Sequence, residues 1–255
     1  MTRADGGSTG QIRLEQSADG RLARLKIERP PVNVLRVSDL EKVAAQLAEL
    51  RNADVLVLSG LPRAFSAGVD LADHAPEAAA IDRMLLAMRS VLEGLVAAPA
   101  VTVACVSGAC LGGGAELAAA CDLVFAAEDA RIGFPEIRVA CFPPGGAVLL
   151  PVRIGEARAS EWVLRGETYS GREAAAGGFA SRAFPAETLE RETGRAIAEL
   201  LSRSQLALAS ARDLLRRGRR EALARDLPRA EEAYRRLTGS EDLARAVREF
   251  GRSDK

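Results

Sequence analysis

Val101-Thr102-Val103-Ala104-Cys105-Val106-Ser107-Gly108-Ala109-Cys110-Leu111-Gly112-Gly113-Gly114-Ala115-Glu116 decides the fold: an apolar strand runs into three glycines, and these open an Ala-rich helix that continues to Ala120. Glycines at a helix start leave backbone N–H groups bare, and the aligned peptide dipoles stabilise a negative charge that develops beside them. Glu116 sits on the first turn of that helix, and Phe134-Pro135-Glu136-Ile137 supplies a second carboxylate downstream. Paired carboxylates beside N–H donors point to proton transfer.

On either side of this stretch, strand alternates with helix. Asp54 to Ser59 is an almost wholly apolar run, as in a strand covered on both faces, and it leads directly into Phe65 to Leu71. From about Pro76, Ile81, Met84, Leu85, Met88, Val91, Leu92 and Leu95 recur at helical intervals. Strand, helix, strand is a parallel crossover, and Leu123 to Ala126 extends the series. Nearer the start, Ile12 to Gln16 and Leu22 to Ile27 flank Asp19-Gly20 as a β-hairpin. Pro30-Pro31 ends its second strand, and Ser38 with Glu41 reads as a capping box for a helix carrying Leu40, Val43, Ala44, Leu47 and Leu50. The class is α/β with a mostly parallel sheet. Sites in such sheets gather where strands end, so Phe65 to Leu71 and the glycines are expected at one edge.

From Glu156 the pattern turns helical: Ala157 to Arg165, Gly171 to Ala176, Ala186 to Ser202, Gln205 to Arg217, Glu221 to Leu237 with a break at Pro228, and Glu241 to Phe250. Arg216-Arg217-Gly218-Arg219-Arg220 reads as a solvated charge run, with a nucleotide-phosphate site as the alternative.

Composition narrows the function. The 255 residues suffice for one large catalytic domain, and Lys plus Arg equal Asp plus Glu at 35 each, so no monopole points to nucleic acid or an anionic membrane. Cys105, Cys110, Cys121 and Cys141 form no Cys-x-x-Cys pair and His74 is the single histidine, so no metal site is expected. The thiols read as small buried hydrophobes in a reducing compartment, Cys110 being notable for its place beside the glycines. His74 stands on a polar loop without an activating partner. Met1 to Gly10 lacks the apolar run of a signal peptide, and no stretch approaches the ~20 apolar residues of a membrane span, so a cytoplasmic protein is expected. Neither a Gly-x-Gly-x-x-Gly nor a phosphate-binding loop is present, which argues against nicotinamide and ATP.

The chain resembles the crotonase superfamily of acyl-CoA enzymes at two places in the right order. One is Gly112-Gly113-Gly114-Ala115-Glu116-Leu117 with Ala120-Cys121-Asp122-Leu123 and Ile132 to Ile137; the other is Ala64-Phe65-Ser66-Ala67-Gly68-Val69-Asp70-Leu71. The resemblance implies a spiral of ββα turns over residues 11–200 after a disordered lead-in at 1–10. It also implies a helical C-terminal region, 201–255, that mediates homotrimer or dimer-of-trimers contacts. It implies Glu116 and Glu136 as catalytic acids and bases, and the N–H groups of Val69 and Gly113 as the oxyanion hole. Ala64, Ala67, Asp70, Leu71 and Gly112 are implied to bind the acyl-CoA, with no cofactor beyond the coenzyme A of the substrate. The implied reaction is enoyl-CoA hydration. A double-bond isomerase and a non-catalytic acyl-CoA- or RNA-binding relative are the alternatives.

Some segments depart from the common pattern. Phe142-Pro143-Pro144-Gly145-Gly146-Ala147-Val148-Leu149-Leu150-Pro151 replaces the usual segment after the second glutamate. With Pro30 to Leu35 and Gly68 to Glu77, it is similar to the cyclohexa-1,5-diene-1-carbonyl-CoA hydratases, implying a cyclic dienoyl thioester. The C-terminal lysine usual near the adenine is not evident, and Arg212 or Arg216 is its candidate substitute. The serine protease that shares this fold is disfavoured, because the only Gly-x-Ser-x-Gly lies at Gly6 to Gly10 with no strand before it.

Overall fold

The computed structural model describes residues 11–70, 78–243, 245 and 246. Segment 1–10, Leu71 and His74, all named above, lie outside them, as do residues 247–250 of the last expected helix. Strands β1 (Gln11–Gln16) and β2 (Leu22–Glu28) form the hairpin, with Ile12 opposite Ile27 and Gly20 turning the chain at φ +73. Ala23, Leu25 and Ile27 alternate inward and are fully buried, so the period of two in the sequence fixes which face meets the core. Strand β2 then pairs in parallel with β4 (Val55–Ser59), β4 with β7 (Val101–Val106), β7 with β9 (Leu123–Ala127) and β9 with β12 (Arg182–Phe184).

Short strands after the long ones build a second sheet, in the order β11 (Thr168–Ser170), β10 (Arg131–Gly133), β8 (Ala109–Leu111), β5 (Ala64–Ser66). A two-stranded pair, β3 (Val34–Leu35) with β6 (Gly68–Val69), lies beside the glycine helix. Each turn of the chain thus gives one strand to the large sheet, one to the small sheet, and a helix: β4, β5 and α2 (Ala78–Ala97), then β7, β8 and α3 (Gly113–Ala120), then β9, β10 and α4 (Pro144–Ile154). This is the ββα spiral.

Helix α1 (Val37–Glu49) starts one residue before the expected cap. Asp39, not Glu41, reaches back, accepting from the Arg36 N–H at 3.0 Å, because Asp39 is buried beside Arg29 while Glu41 faces outward to Arg83. The small strands and α4 have no counterpart in the sequence reading.

After α5 (Glu156–Arg165) and α6 (Gly171–Ala176), the chain ends in α7 (Leu189–Ser202), α8 (Gln205–Leu215) and α9 (Arg217–Thr238). Helix α9 runs unbroken through Pro228, its packing against α4 and α2 outweighing the one hydrogen bond that proline removes. The arginine run at its start is solvated only in part: Arg217 and Arg220 are exposed as expected, whereas Arg216 and Arg219 turn inward. Arg216 is wholly buried, bonding Asp122 and the carbonyls of Val96, Ala98 and Ala100, and Arg219 donates to the carbonyls of Ala120 and Cys121 at 2.7 and 2.8 Å and to Asp122. Arg153 reaches the Ala119 and Cys121 carbonyls. Two guanidiniums therefore satisfy the orphan carbonyls at the C-terminus of α3, where cations also complement the helix dipole. Arg216 is accordingly unavailable to an adenine, and Arg212 is turned onto the Pro99 carbonyl and Asp213.

Candidate active site

The segment that carries Val69 is held in place by one asparagine and one serine. Asn33 adopts φ 54, a region its short amide tolerates, and its buried side-chain amine donates to the carbonyls of Ile27, Ala64 and Phe65. Ser66 Oγ donates to the Asn33 carbonyl at 2.8 Å and accepts from the Gly68 N–H at 3.1 Å. The loop containing Pro30 to Leu35 is thereby fixed to β5, and Gly68, at φ +108, swings Val69 against the start of α3.

Gly113 is the first residue of α3, so its N–H has no intrahelical acceptor. A Cβ on Gly113 would stand 3.6 Å from the Val69 nitrogen, and one on Gly68 would stand 3.7 Å from the Gly113 nitrogen. The two donors are neighbours on the wall of one cavity, which Ala67, Gly68 and Gly112 also line. Ala64 lies deeper, fully buried in β5 with its carbonyl accepting from Asn33, and Asp70 stands 3.9 Å from Arg36.

Both glutamates open onto that cavity. Glu116 Oε1 accepts from the Gly146 N–H at 2.8 Å, so the carboxylate of one helix caps the N-terminus of another, α4. Gly145 permits the approach: a Cβ there would lie 3.1 Å from Glu116 Oε1. The altered segment Pro143 to Gly146 is therefore the start of α4 and the cradle of Glu116. Glu136 lies on a 3-10 turn, Pro135–Val139, against Gly112, whose Cβ would meet Glu136 Oε1 at 2.6 Å. With φ +52 as well, Gly112 admits no side chain.

Burial pushes the Glu116 carboxyl up to about 7 against the opposing hydrogen bonds from Gly146 and Gly145. Burial and the Glu116 charge push Glu136 up to about 8, and its Oε2 has no hydrogen-bond partner among the described residues. The pair can thus hold a shared proton near neutrality.

Sequence reasoning missed the rest of the cavity wall. Helix α9 lays Leu227, Glu231 and Tyr234 along the cavity, and α2 adds Arg89 beside Met84, Leu85 and Met88. Their spacing carried the signal: Arg89 falls four residues after Leu85 on the apolar stripe of α2, and Glu231 and Tyr234 share one face of α9 with Leu227. Tyr234 packs edge-on to Phe142 and donates to the Cys141 thiol. Cys141, not Cys110, is the thiol on the cavity; Cys110 is fully enclosed, and burial pushes both thiols up and keeps them neutral. No group of three or more His, Cys, Asp or Glu able to hold a metal occurs among the described residues, nor any helix long and apolar enough to cross a membrane.

A ββα spiral with two backbone donors and two buried glutamates at one cavity defines the crotonase class of acyl-CoA proteins. The sequence profile of the enoyl-CoA hydratase/isomerase family matches residues 17–252, and the chain belongs to that family. It is an enzyme of the enoyl-CoA hydratase type. Its sequence is similar to the cyclohexa-1,5-dienecarbonyl-CoA hydratase of Thauera aromatica, 35% identical over 61% of this chain and 60% of that protein. It is also similar to a probable enoyl-CoA hydratase of Bacillus subtilis, 35% identical over 78% of this chain and 80% of that one. The crystal structure of an enoyl-CoA hydratase from Mycobacterium avium subsp. paratuberculosis superposes with a TM-score of 0.85 at 28% identity, covering 95% of this chain and 96% of that one.

Proposed function

We propose that the chain adds water across the conjugated double bond of an enoyl-CoA thioester, with a cyclic dienoyl-CoA as the particular substrate. The observation that carries the reading is the meeting of Glu116 and Glu136 beside the Val69 and Gly113 donors at one cavity. The thioester oxygen accepts from the two N–H groups and takes on negative charge as the β-carbon is attacked. Rigid backbone donors stabilise that charge without reorganisation. Glu116, whose carboxylate accepts from the Gly146 N–H, draws the proton from the attacking water, and Glu136 delivers a proton to the α-carbon. Ala67, Gly112, Asp70 and Leu71 bind the thioester and its coenzyme A, Ala64 supports them through the β5 backbone, and no further cofactor takes part. The cyclic substrate draws support from the Thauera aromatica relative and from the Pro143 to Gly146 segment.

The enzyme is cytoplasmic and works as a homotrimer or dimer of trimers, supported by Leu206, Leu214 and Leu215, which stand exposed on α8. Incubation with a panel of linear and cyclic enoyl-CoAs, followed by mass spectrometry, tests the reaction: hydration adds one water to the thioester mass, isomerisation adds none. Glu116→Gln and Glu136→Gln are each expected to slow hydration by at least about a hundredfold with folding intact. Near-normal turnover in either variant removes that residue from the mechanism.

A further inference from the structure

The part of the cavity wall formed by α2 and α9 carries an ion pair that the hydration chemistry does not use. Arg89 of α2 meets Glu231 of α9 in a bidentate contact, Nε to Oε1 at 2.8 Å and Nη2 to Oε2. Both residues line the cavity, among Met84, Leu85, Met88 and Leu227. The Glu231 side chain is 2% exposed and that of Arg89 30%. Burying the Glu231 carboxylate costs more desolvation than burying a packed hydrophobe of the same volume, and the half-buried Arg89 offsets that cost, so the presence of the pair among Met84, Leu85, Met88 and Leu227 calls for a reason.

The geometry leaves a donor unspent. A guanidinium bound side-on through Nε and Nη2 keeps the two N–H bonds of Nη1 free, and Arg89 makes no further bond among the described residues. An acyl group that fills the cavity displaces solvent from this wall. If that group is wholly apolar, Nη1 is covered without an acceptor. If it bears an oxygen at the right place, Nη1 is satisfied, and a site built to pair with a substrate oxygen discriminates against the analogue lacking it. Glu231 already neutralises the charge of Arg89, so the pair favours a neutral acceptor and gives a second carboxylate no Coulombic gain.

We infer that Arg89, held by Glu231, reads a hydroxyl or ketone oxygen on the acyl group, so that the enoyl-CoA substrate, the cyclic dienoyl-CoA proposed above included, bears such an oxygen beyond the reacting double bond. This rests on the hydratase reading of the same cavity and names its substrate class. Glu231 acts as a positioning residue, fixing the guanidinium plane so that Nη1 presents to the acyl group.

Two measurements on the full chain test it. The first is calorimetric binding of hexanoyl-CoA against its 4-, 5- and 6-hydroxy derivatives, with cyclohexanecarbonyl-CoA against its ring-hydroxylated and keto derivatives. The second is kcat/KM for hydration of the matching 2-enoyl-CoAs. At least one oxygenated ligand is expected to bind about tenfold or more tightly than its parent. In the paired variant Arg89→Met with Glu231→Leu, which removes both charges together, that ratio falls to within about twofold and the parent binds at least as well as before. Arg89→Lys, which keeps the charge but not the planar fork, is expected to lose the ratio too and serves if the paired variant does not fold. A wild-type protein that binds no oxygenated ligand better than its parent overturns the inference. So does a preference that survives both variants, which would leave the pair a clamp between α2 and α9. Binding that shows the preference without any hydration would instead remove the hydratase reading and leave the oxygen contact standing.

Discussion

Replacing Gly113 tests the proposed oxyanion donor. Alanine adds a Cβ, which at this position would come 2.8 Å from Val69 Cγ2 and 2.9 Å from Met88 Cε. Both are side-chain ends, able to yield by a few tenths of an ångström, so the cost is one of overpacking, about 1–3 kcal/mol of stability. The N–H survives. Proline meets the same two neighbours through its own Cβ, is well tolerated at the first position of a helix, and deletes the N–H. Proline thus differs from alanine in losing the donor and in placing its ring Cδ where the N–H hydrogen stood, next to Gly112 at φ +52. Loss of one such donor typically costs about 2.7 to 4 kcal/mol of transition-state stabilisation, roughly a hundred- to a thousandfold in kcat. Gly113→Ala is expected to keep turnover within about tenfold of wild type, and Gly113→Pro to lose about a hundredfold more. Initial rates on a short enoyl-CoA, followed at the thioester enone absorbance, with circular dichroism to confirm folding, give both numbers. Equal activity in the folded Ala and Pro variants would show that the Gly113 N–H stabilises nothing in the reaction.

Asp122→Ala is expected to destabilise the protein by roughly 3–5 kcal/mol, lowering Tm by about 10 °C or more, because it strips the shared carboxylate from Arg216 and Arg219; an unchanged thermal melt would refute that account. Glu116 and Glu136 bind their protons more tightly folded, at about 7 and about 8, than at the ordinary 4.5, so they stabilise the fold fully below about pH 4.5, and that contribution is lost as pH rises through 7 and 8. Thermal melts from pH 5 to 9 are expected to fall more steeply for wild type than for the Glu116→Gln/Glu136→Gln double variant, and parallel curves would contradict the burial of the pair. Light scattering coupled to gel filtration is expected to give the mass of three or six chains, and a mass of one chain at micromolar concentration would rule the assembly out.

The long elements were legible because each is buried on a face that its period declares. Val101 to Val106 and Val55 to Ser59 are apolar but for Thr102 and Ser59, as suits a strand covered on both faces, and the α2 stripe from Ile81 to Leu95 turns inward over its whole length. The small sheet was not legible for the opposite reason. Strands β5, β8 and β10 have three residues each, too few to show a period, and they exist because their neighbours in the spiral hold them side by side. Helix α4 hid behind Pro143, Pro144, Gly145 and Gly146, which look like a loop until the carboxylate of Glu116 is placed against their N–H groups.

The site divides along the same line. The half proposed to be reactive is local in sequence, glycines and glutamates on single turns, and its residues are the ones the sequence singles out. Its other half is assembled by contacts between residues more than a hundred positions apart: Arg89 with Glu231, and Arg216 with Val96, Ala98 and Ala100. Exposed arginine is the ordinary expectation for a charge run at a helix end, and only the tertiary structure reverses it. Arg216 and Arg219 bury themselves on Asp122 and on the carbonyls that end α3 and α2, and this seats the start of α9. From that anchor the helix runs back across α4 and α2 and delivers Glu231 and Tyr234 to the cavity. The arginines thus lie outside the cavity, yet they set the position of the helix that closes its wall.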